Sequence, residues 1–493
     1  MWAEVAEAAA LDASEHDDVL GAVDDLSLVH CQSWAYDHPV DRLAERLGRE
    51  PAHRSESILA GTSPQRLIDD AATRMLAGRT QVALVVGGEA LATRRAFDKA
   101  GEPPPWSHPH PTPPTLPVAL DEWYLPTELA HGVLPAWLTF ALLEQARWAT
   151  HGADAAARAE LHAVIGRLRA AADRNPDAWF TEPARTEDLV VASDTNRMVA
   201  TPYTKRMTAF MDVDMAAANL VVTKEVADRW QIPEDRRACL RGWGFARDAI
   251  HVAARRHLDA SPAMRAATTA ALRGAGLTVD DIDGFDLYSC FGSAVQFATD
   301  ALGIAPDDAR PISFTGGLPY HGGPSSNYVS HSLSHLTDRL RAGEIETALI
   351  TGVGMHMTKH VAAIWSRNPG PIELPRDPGP QQWGHAGGLD DRSVVDHAEG
   401  TGTLVAATVV HDHAGQPEVA IGICELPDGS RCYVRTPDDA LMAAIVEDDW
   451  AGRTVRIGAG PQGTNTASLL PGRRAPEPDG TALAEVAKAA DVR

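Results

Sequence analysis

Two stretches constrain the fold more than any other feature of the chain. ALVVGGEALAT (83–93) and ALITGVGMHMT (348–358) each set an apolar run before a glycine turn and a start rich in small residues. Each follows a helical pattern that stops at a glycine, Gly78 in one case and Gly343 in the other. An apolar strand, a glycine and then a helix is the order of an α/β layer, in which the strand is buried on both faces. Its recurrence, with similar elements on either side, predicts two related α/β halves.

The chain is long enough for this. At 493 residues it exceeds one ordinary core. Further units of the same grammar fill both halves. Met1 to about Leu11 reads as a helix and Leu26–His30 as a short strand. Ser63-Pro64-Gln65 opens a helix whose apolar face is Leu67, Ile68, Ala71 and Met75, with Ser63 as its cap. Later, MDVDMAAANLVVTKEVADRW (211–230) reads as strand then helix, AMRAATTAALRGAGL (263–277) as a helix stopped by glycine, and FDLYSC (285–290) as a strand leading into SAVQFATDALGI (293–304). GEPPPWSHPHPTPPTLP (101–117) fits neither helix nor inner strand, because proline removes donors and fixes φ. It marks an excursion from the first core, followed by helical patterns at 134–150 and 154–174.

After about Thr403 the period changes to two. ATVVH, VAIGICEL and RCYVRT alternate as strands, and Pro427-Asp428-Gly429 marks a turn. A short helix (439–446) and another strand (454–457) complete a β-rich appendage of the partly open barrel, or OB, kind. The expected organisation is a first half over 1–235 with an excursion at about 99–195, a second half over 236–402, a β domain over 403–462 and a loose tail over 463–493.

Composition excludes several partners. There are 44 Lys+Arg against 67 Asp+Glu, a formal charge of -23, which repels phosphate backbones and anionic lipid. Nucleic acid and membrane are therefore not expected, and no run of about 18 apolar residues is present. Cys31, Cys239, Cys290, Cys424 and Cys432 are scattered without a CxxC pair, which fits reduced thiols in a cytoplasm.

DLYSCFGSAVQ (286–296) together with TGGLPYHGGPSSNY (315–328) resembles the thiolase superfamily, nearest the sterol-carrier-type branch and its actinobacterial thiolase-like proteins with an added C-terminal domain. NRM (196–198), PYTK (202–205) and VDMAAA (213–218) fall in the order this resemblance requires. It implies duplicated α/β halves in α-β-α-β-α layers, each with a five-stranded sheet, and a coenzyme A thioester as substrate or ligand with no permanently bound cofactor. It also implies acetyl-CoA acetyltransferase-like acyl transfer. The same family opens with a strand before its first helix, whereas Met1 already lies in helical pattern. Either the start lies upstream or the first sheet lacks an inner strand.

Thiolase chemistry requires a nucleophilic cysteine at a helix N-terminus in the first half, where the helix dipole favours thiolate. Here that helix opens Thr62-Ser63-Pro64-Gln65 without one. The histidine of the family's GHP turn falls on Gly323 in Gly322-Gly323-Pro324. In the HDCF motif, Tyr288 stands for His and Ser289 for Asp, while Cys290 and Phe291 match. Cys290 thus aligns with a proton-shuttling cysteine. It is either an acid/base or stand-in nucleophile, or a buried structural thiol. His321 either swings into the vacant histidine role or is a loop histidine exposed to water. The glycines of the loop form a pocket wall or a set of oxyanion-type N–H donors.

The remaining candidates are weaker. Tyr288, Ser289, Gly322, Gly323 and Pro324 would line the thioester site, and Arg197, Lys205 and Arg206 would meet the carrier's phosphates or merely balance surface charge. His331, His335 and Asp338 have a helix spacing that suits a metal, but they lie opposite the stripe of Val329, Leu333, Leu336 and Leu340, so no metal site is expected. The expected partners are CoA or acyl-CoA, with a protein partner through the β domain. Oligomeric state stays open. Against acyl transfer stands a second reading: a CoA-binding protein that has kept the fold and lost the nucleophile and the GHP histidine.

Overall fold

The computed structural model describes residues 1–14, 18–113, 123–152, 155–375 and 391–474. In the first half, β1 (Asp25–Leu28), β2 (His53–Glu56) and β3 (Val82–Ala90) run parallel, and β6 (Asp214–Val222) joins β3 antiparallel, giving the order β2-β1-β3-β6. In the second, β8 (Gly284–Asp286) lies parallel to β9 (Thr347–Gly354). β10 (Lys359–Ser366) pairs antiparallel with β9 and with β7 (Cys239–Arg247), giving β8-β9-β10-β7. The succession β1-β3-β6 is thus repeated as β8-β9-β10, and the expected duplication is present.

Helices separate and cover the sheets. α1 (Trp2–Ala13) lies on β3 and β6, and α2 (Pro39–Leu47) on β1 and β2. α3 (Ser63–Leu76) touches both β3 and β10. The helix over Tyr328–Arg341 touches α3, β6 and β9, so these two helices are sandwiched between the sheets. In chain order, α4 spans Leu91–Ala100, α5 Pro126–Ala130, α6 Ala136–His151, α7 Ala155–Ala172, α8 Pro262–Ala275, α9 Gly292–Leu302 and α10 Tyr328–Arg341. α8 covers β7 and β10, completing the α-β-α-β-α layers. The excursion of the first half is not peripheral: Phe140, Leu142, Leu143 and Trp148 of α6 are fully buried in the main core.

Some expectations give way to packing. Gly87-Gly88 is no turn but the interior of β3. A Cβ at Gly87 would lie 2.2 Å from Asn327 Oδ1, and one at Gly88 2.6 Å from the Ala216 Cβ. Likewise Gly352 and Gly354 lie in β9, and the following residues turn into β10 rather than a helix. Each sheet has four hydrogen-bonded strands among the described residues, not five. In the second half, Pro311 and Ile312 accept bonds from Phe285 and Leu287 (2.8 and 2.9 Å) beside β8 without forming a named strand. In the first half the strand without a counterpart is the edge strand matching β7, not an inner one. The consequence is visible in burial. Every residue of β10 is buried between β7 and β9, whereas β6, which has no strand on its outer side among the described residues, is half-buried almost throughout.

The β domain is a sheet of order β13-β12-β11-β14-β15, with β11 at Gly400–His411, β12 at Pro417–Glu425, β13 at Arg431–Thr436 and β14 at Arg453–Ala459. β15 covers Asn465–Arg474, so residues expected to begin a loose tail form a paired strand instead; 475–493 lie outside the described residues. β15 bends back towards β13, with Asn465 Nδ2 donating to Tyr433 O at 3.0 Å. The first half also reaches into this sheet through β4 (Met198–Ala200), which pairs with β11 at Val410 and with β5 (Tyr203–Thr204). A helix, α11 (Asp439–Val446), packs on β11 and β12.

A buried polar seam fixes this domain to the body. The Glu128 carboxylate accepts from the Tyr433 hydroxyl (2.9 Å) and the Leu125 N–H (2.9 Å) and pairs with His251 (3.0 Å). Trp450 Nε1 donates to Gln145 Oε1 at 3.0 Å, and His131 Nε2 accepts from the Asn465 N–H at 2.8 Å. Buried polar groups satisfied in this way specify one docked arrangement, since any other leaves them unpaired.

Candidate functional site

The site motifs meet where both halves press on the sandwiched helices. β8 ends at Asp286, whose buried carboxylate accepts from the Phe314 N–H (2.7 Å), Ser332 Oγ (2.7 Å) and Ser313 Oγ (3.1 Å). This ties the strand to the start of the glycine-rich loop and to α10. Leu287, Tyr288, Ser289 and Cys290 then leave the C-terminal end of β8, the position where ligand sites gather in open α/β sheets.

Tyr288 is buried. Its N–H donates to Thr351 Oγ1 at 2.8 Å, and its ring meets Tyr328 edge-on at 5.5 Å. Its hydroxyl points at the backbone that opens α3. A Cβ at Gly61 would lie 2.2 Å from Tyr288 Oη and 2.3 Å from Val353 O. Gly352 lets the same loop come close from the other side, since a Cβ there would be 3.0 Å from Gly61 O. Burial pushes the phenol's pKa well above its usual value, so the side chain is a neutral plug at the N-terminus of α3. Ser63, expected to cap that helix, instead donates from its hydroxyl to Ile58 O at 2.7 Å, and Thr62 occupies the cap position without a side-chain bond. No cysteine occupies Thr62–Gln65, and the side-chain group that faces the helix start is the Tyr288 phenol.

Cys290 is half-buried, and its carbonyl accepts from the Ala209 N–H at 3.0 Å. Burial, with no cation beside it, pushes its thiol far above the usual range. Ser289 is fully buried, its Oγ packed 2.6 Å from where a Gly317 Cβ would stand.

His321 is not a loop histidine in water. It is fully buried, its Nδ1 accepts from Asn175 Nδ2 at 3.1 Å, and its Nε2 has no partner. His331 and His335 flank its ring at 5.4 Å each. Burial, reinforced by these two neighbours, lowers its pKa to about 2, so it is a neutral imidazole. His331, placed by sequence opposite the apolar stripe, is buried too, because the first turns of α10 (Tyr328–Leu333) are enclosed; its pKa falls to about 3 through burial. No group of three or more metal-ligating side chains is found among the described residues.

The glycine-rich loop is spent on its own architecture. The N–H groups of Gly316 and Gly317 donate to Ser313 Oγ (3.0 Å) and Thr315 Oγ1 (3.2 Å), those of Tyr320 and His321 to Gly317 O, and that of Gly323 to Phe210 O (2.8 Å). Asn327 N–H donates to Pro324 O at 2.9 Å. The loop walls the seam, but these N–H groups are not free to serve an oxyanion. Gly322, at φ +113, needs glycine's freedom: a Cβ there would meet Met215 Sδ at 2.8 Å. The segment 175–180 closes over the loop, with Trp179 N–H donating to His321 O at 2.8 Å.

The basic candidates separate. Arg197 donates to Met198 O (3.1 Å) and Asp412 O (3.2 Å), a place in the β-domain seam. Lys205 and Arg206 are exposed. They lie on the strip that leads to Phe210 and Met211, and Phe210 packs on Phe180 at 4.8 Å. Trp179, Phe180 and Met211 are each about two-fifths exposed, an apolar patch directly over the His321–Gly323 loop. Sequence reading missed Asn175, Thr351 and Tyr328, which orient His321 and Tyr288, since polar residues in unrelated segments carry no spacing signal. It also missed Lys359, a buried ammonium 4.2 Å from the Trp123 ring centroid, lowered to about 8 by burial and Arg247.

No family model and no curated protein matches the sequence. Solved structures do. The fold is that of the thiolase superfamily, with two repeated α/β halves and helices sandwiched between their sheets. The chain is similar to a monomeric SCP2-thiolase-like protein type 1 from Mycobacterium smegmatis at TM-score 0.80 and 28% identity, over 95% of each chain. It is also similar to an Ltp2–ChsH2(DUF35) aldolase (TM-score 0.55, 16% identity, 70% of this chain and 87% of that one). A third is human mitochondrial 3-ketoacyl-CoA thiolase (TM-score 0.51, 15% identity, 74% and 91%). No described helix is long and apolar enough to cross a membrane.

Proposed function

We propose that this chain uses the thiolase fold to hold a coenzyme A thioester without breaking it. One observation carries the reading: Tyr288 Oη and Val353 O fill the space at Gly61, directly before the Thr62–Gln65 helix start where the resemblance puts a thiolase-type nucleophile. The two other groups that could replace the missing machinery are poorly placed for it. The Cys290 thiol resists ionisation, and His321 is neutral, buried and engaged with Asn175. A general base has to reach the proton it takes, within about 3 Å. Binding is supported by the fold, by neighbours whose names include a 3-ketoacyl-CoA thiolase, and by the exposed patch of Trp179, Phe180 and Met211. Exposed apolar patches beside charge are a common mark of ligand grooves. Here the patch takes the pantetheine and acyl portion, and Lys205 and Arg206 meet the phosphates.

The test combines binding and turnover. Calorimetric titration with CoA and acetyl-CoA is expected to show binding that weakens with salt and in Lys205→Glu/Arg206→Glu. Acetoacetyl-CoA plus CoA is expected to survive incubation. Thiolysis that Cys290→Ala abolishes would establish acyl transfer instead, and failure of the native chain to bind CoA at all would remove the carrier role.

A further inference from the structure

The five cysteines are scattered in sequence, yet two of them are brought face to face. β12 and β13 form a hairpin around Pro427-Asp428-Gly429, and its register sets Cys424 directly opposite Cys432. Asp428 Oδ1 accepts from the Ser430 N–H (2.9 Å) and Leu426 N–H donates to Ser430 O (2.8 Å), which holds that register. Directly opposed residues of an antiparallel pair have Cα atoms about 4.5–5.5 Å apart and side chains on one face. A disulfide spans Cα distances of about 4.4–6.8 Å. Both side chains enter the same apolar cluster, with Leu404, Leu441, Trp450 and Ile457, and both are fully buried. Their direct opposition eases ionisation of Cys432 and, with burial, opposes that of Cys424.

We propose that Cys424 and Cys432 are a disulfide-forming pair, oxidised by a small disulfide of the glutathione class into a bond that clips the β12–β13 hairpin. The Cys432 thiolate attacks one sulfur of the oxidant, forming a mixed disulfide and releasing one thiol. Cys424, deprotonated in turn, attacks the Cys432 sulfur, forms the intramolecular bond and expels the second thiol. Two electrons pass from the pair to the oxidant, and the two protons end on the released thiols. The clip lies between two anchors of the β domain. Arg431 donates to Ala253 O at 3.2 Å, and the Tyr433 hydroxyl donates to Glu128 and accepts from the Ala253 N–H at 3.1 Å. Oxidation therefore stiffens the strand that fastens the domain to the body. Because both sulfurs are buried, exchange proceeds through opening of the hairpin and speeds up with mild denaturant.

The experiment equilibrates the whole chain with oxidised and reduced glutathione at graded ratios, with and without low guanidinium. It then alkylates free thiols and measures intact mass and proteolytic peptides. The expected product lacks two alkylatable thiols, carries no glutathione, contains a peptide linking Cys424 to Cys432 and reverts with dithiothreitol. Hydrogen exchange across 425–436 should slow in it by up to about 80-fold, the order set by closing a nine-residue loop. A Cys31→Ser/Cys239→Ser variant should behave the same. Two thiols that stay alkylatable at every ratio, separate glutathione adducts on each, or a link through another cysteine would overturn the assignment.

Discussion

Replacing Gly61 by alanine tests whether Tyr288 really stoppers the start of α3. The new methyl would stand 2.2 Å from Tyr288 Oη, 2.5 Å from its Cζ and 2.3 Å from Val353 O. Ordinary contacts are longer by more than an ångström, so something must move. The tyrosine is buried, anchored through its N–H to Thr351 and packed on Tyr328, and the carbonyl belongs to a central strand. Overpacking of this kind costs about 1–3 kcal/mol, and with one wall made of backbone the upper end applies, about 3 kcal/mol. That is about 150-fold in the unfolding equilibrium. Tyr288→Ala alone should cost about 3–5 kcal/mol through the lost ring. The double variant should cost less than the sum by at least about 1 kcal/mol, because removing the ring frees one of the two walls. Guanidinium unfolding followed by tryptophan fluorescence gives all three values. A neutral Gly61→Ala, or strict additivity, would mean that the loop is free to leave the tyrosine. The site could then open to an acyl group, and the non-catalytic reading would lose its physical basis.

The half-exposed edge strand β6 should exchange its outward amides faster than β10, whose residues are all buried, and hydrogen exchange with mass spectrometry would show equal protection if the edge were covered. Tyr433→Phe should cost about 1.5–3 kcal/mol by stripping a charge-assisted bond from the buried Glu128, and should expose the β domain to limited proteolysis. His356 is buried between Tyr124 and Thr139 (2.6 and 2.7 Å), and burial lowers its pKa to about 4. A histidine whose folded pKa is depressed loses stability as pH falls below its unfolded value of about 6.5, until it too is protonated near 4 in the folded state. His356→Asn should therefore flatten the stability–pH slope between about 6.5 and 4 by up to about 1.4 kcal/mol per pH unit, measured against the native chain, and an unchanged slope would contradict the burial.

The sequence by itself determined what local chemistry can determine. Apolar runs, glycine stops such as Gly276 and the Pro64 helix start placed the strands and helices, because side-chain period and backbone freedom act within a few residues. The paired motifs 286–296 and 315–328 pointed to the thiolase fold, and the missing cysteine at Thr62–Gln65 was plain in the text. Tertiary structure decided the meaning of those residues. Gly87-Gly88 reads as a turn but lies within a strand, because the side chain of Asn327, 240 residues away, fills the space a Cβ would need. His321 reads as a loop base but is enclosed by Asn175, His331 and His335, which come from two other segments. Cys424 and Cys432 read as unrelated thiols until strand register opposes them. Burial, protonation and contact depend on which distant segments meet, and a linear pattern encodes that only through the fold as a whole.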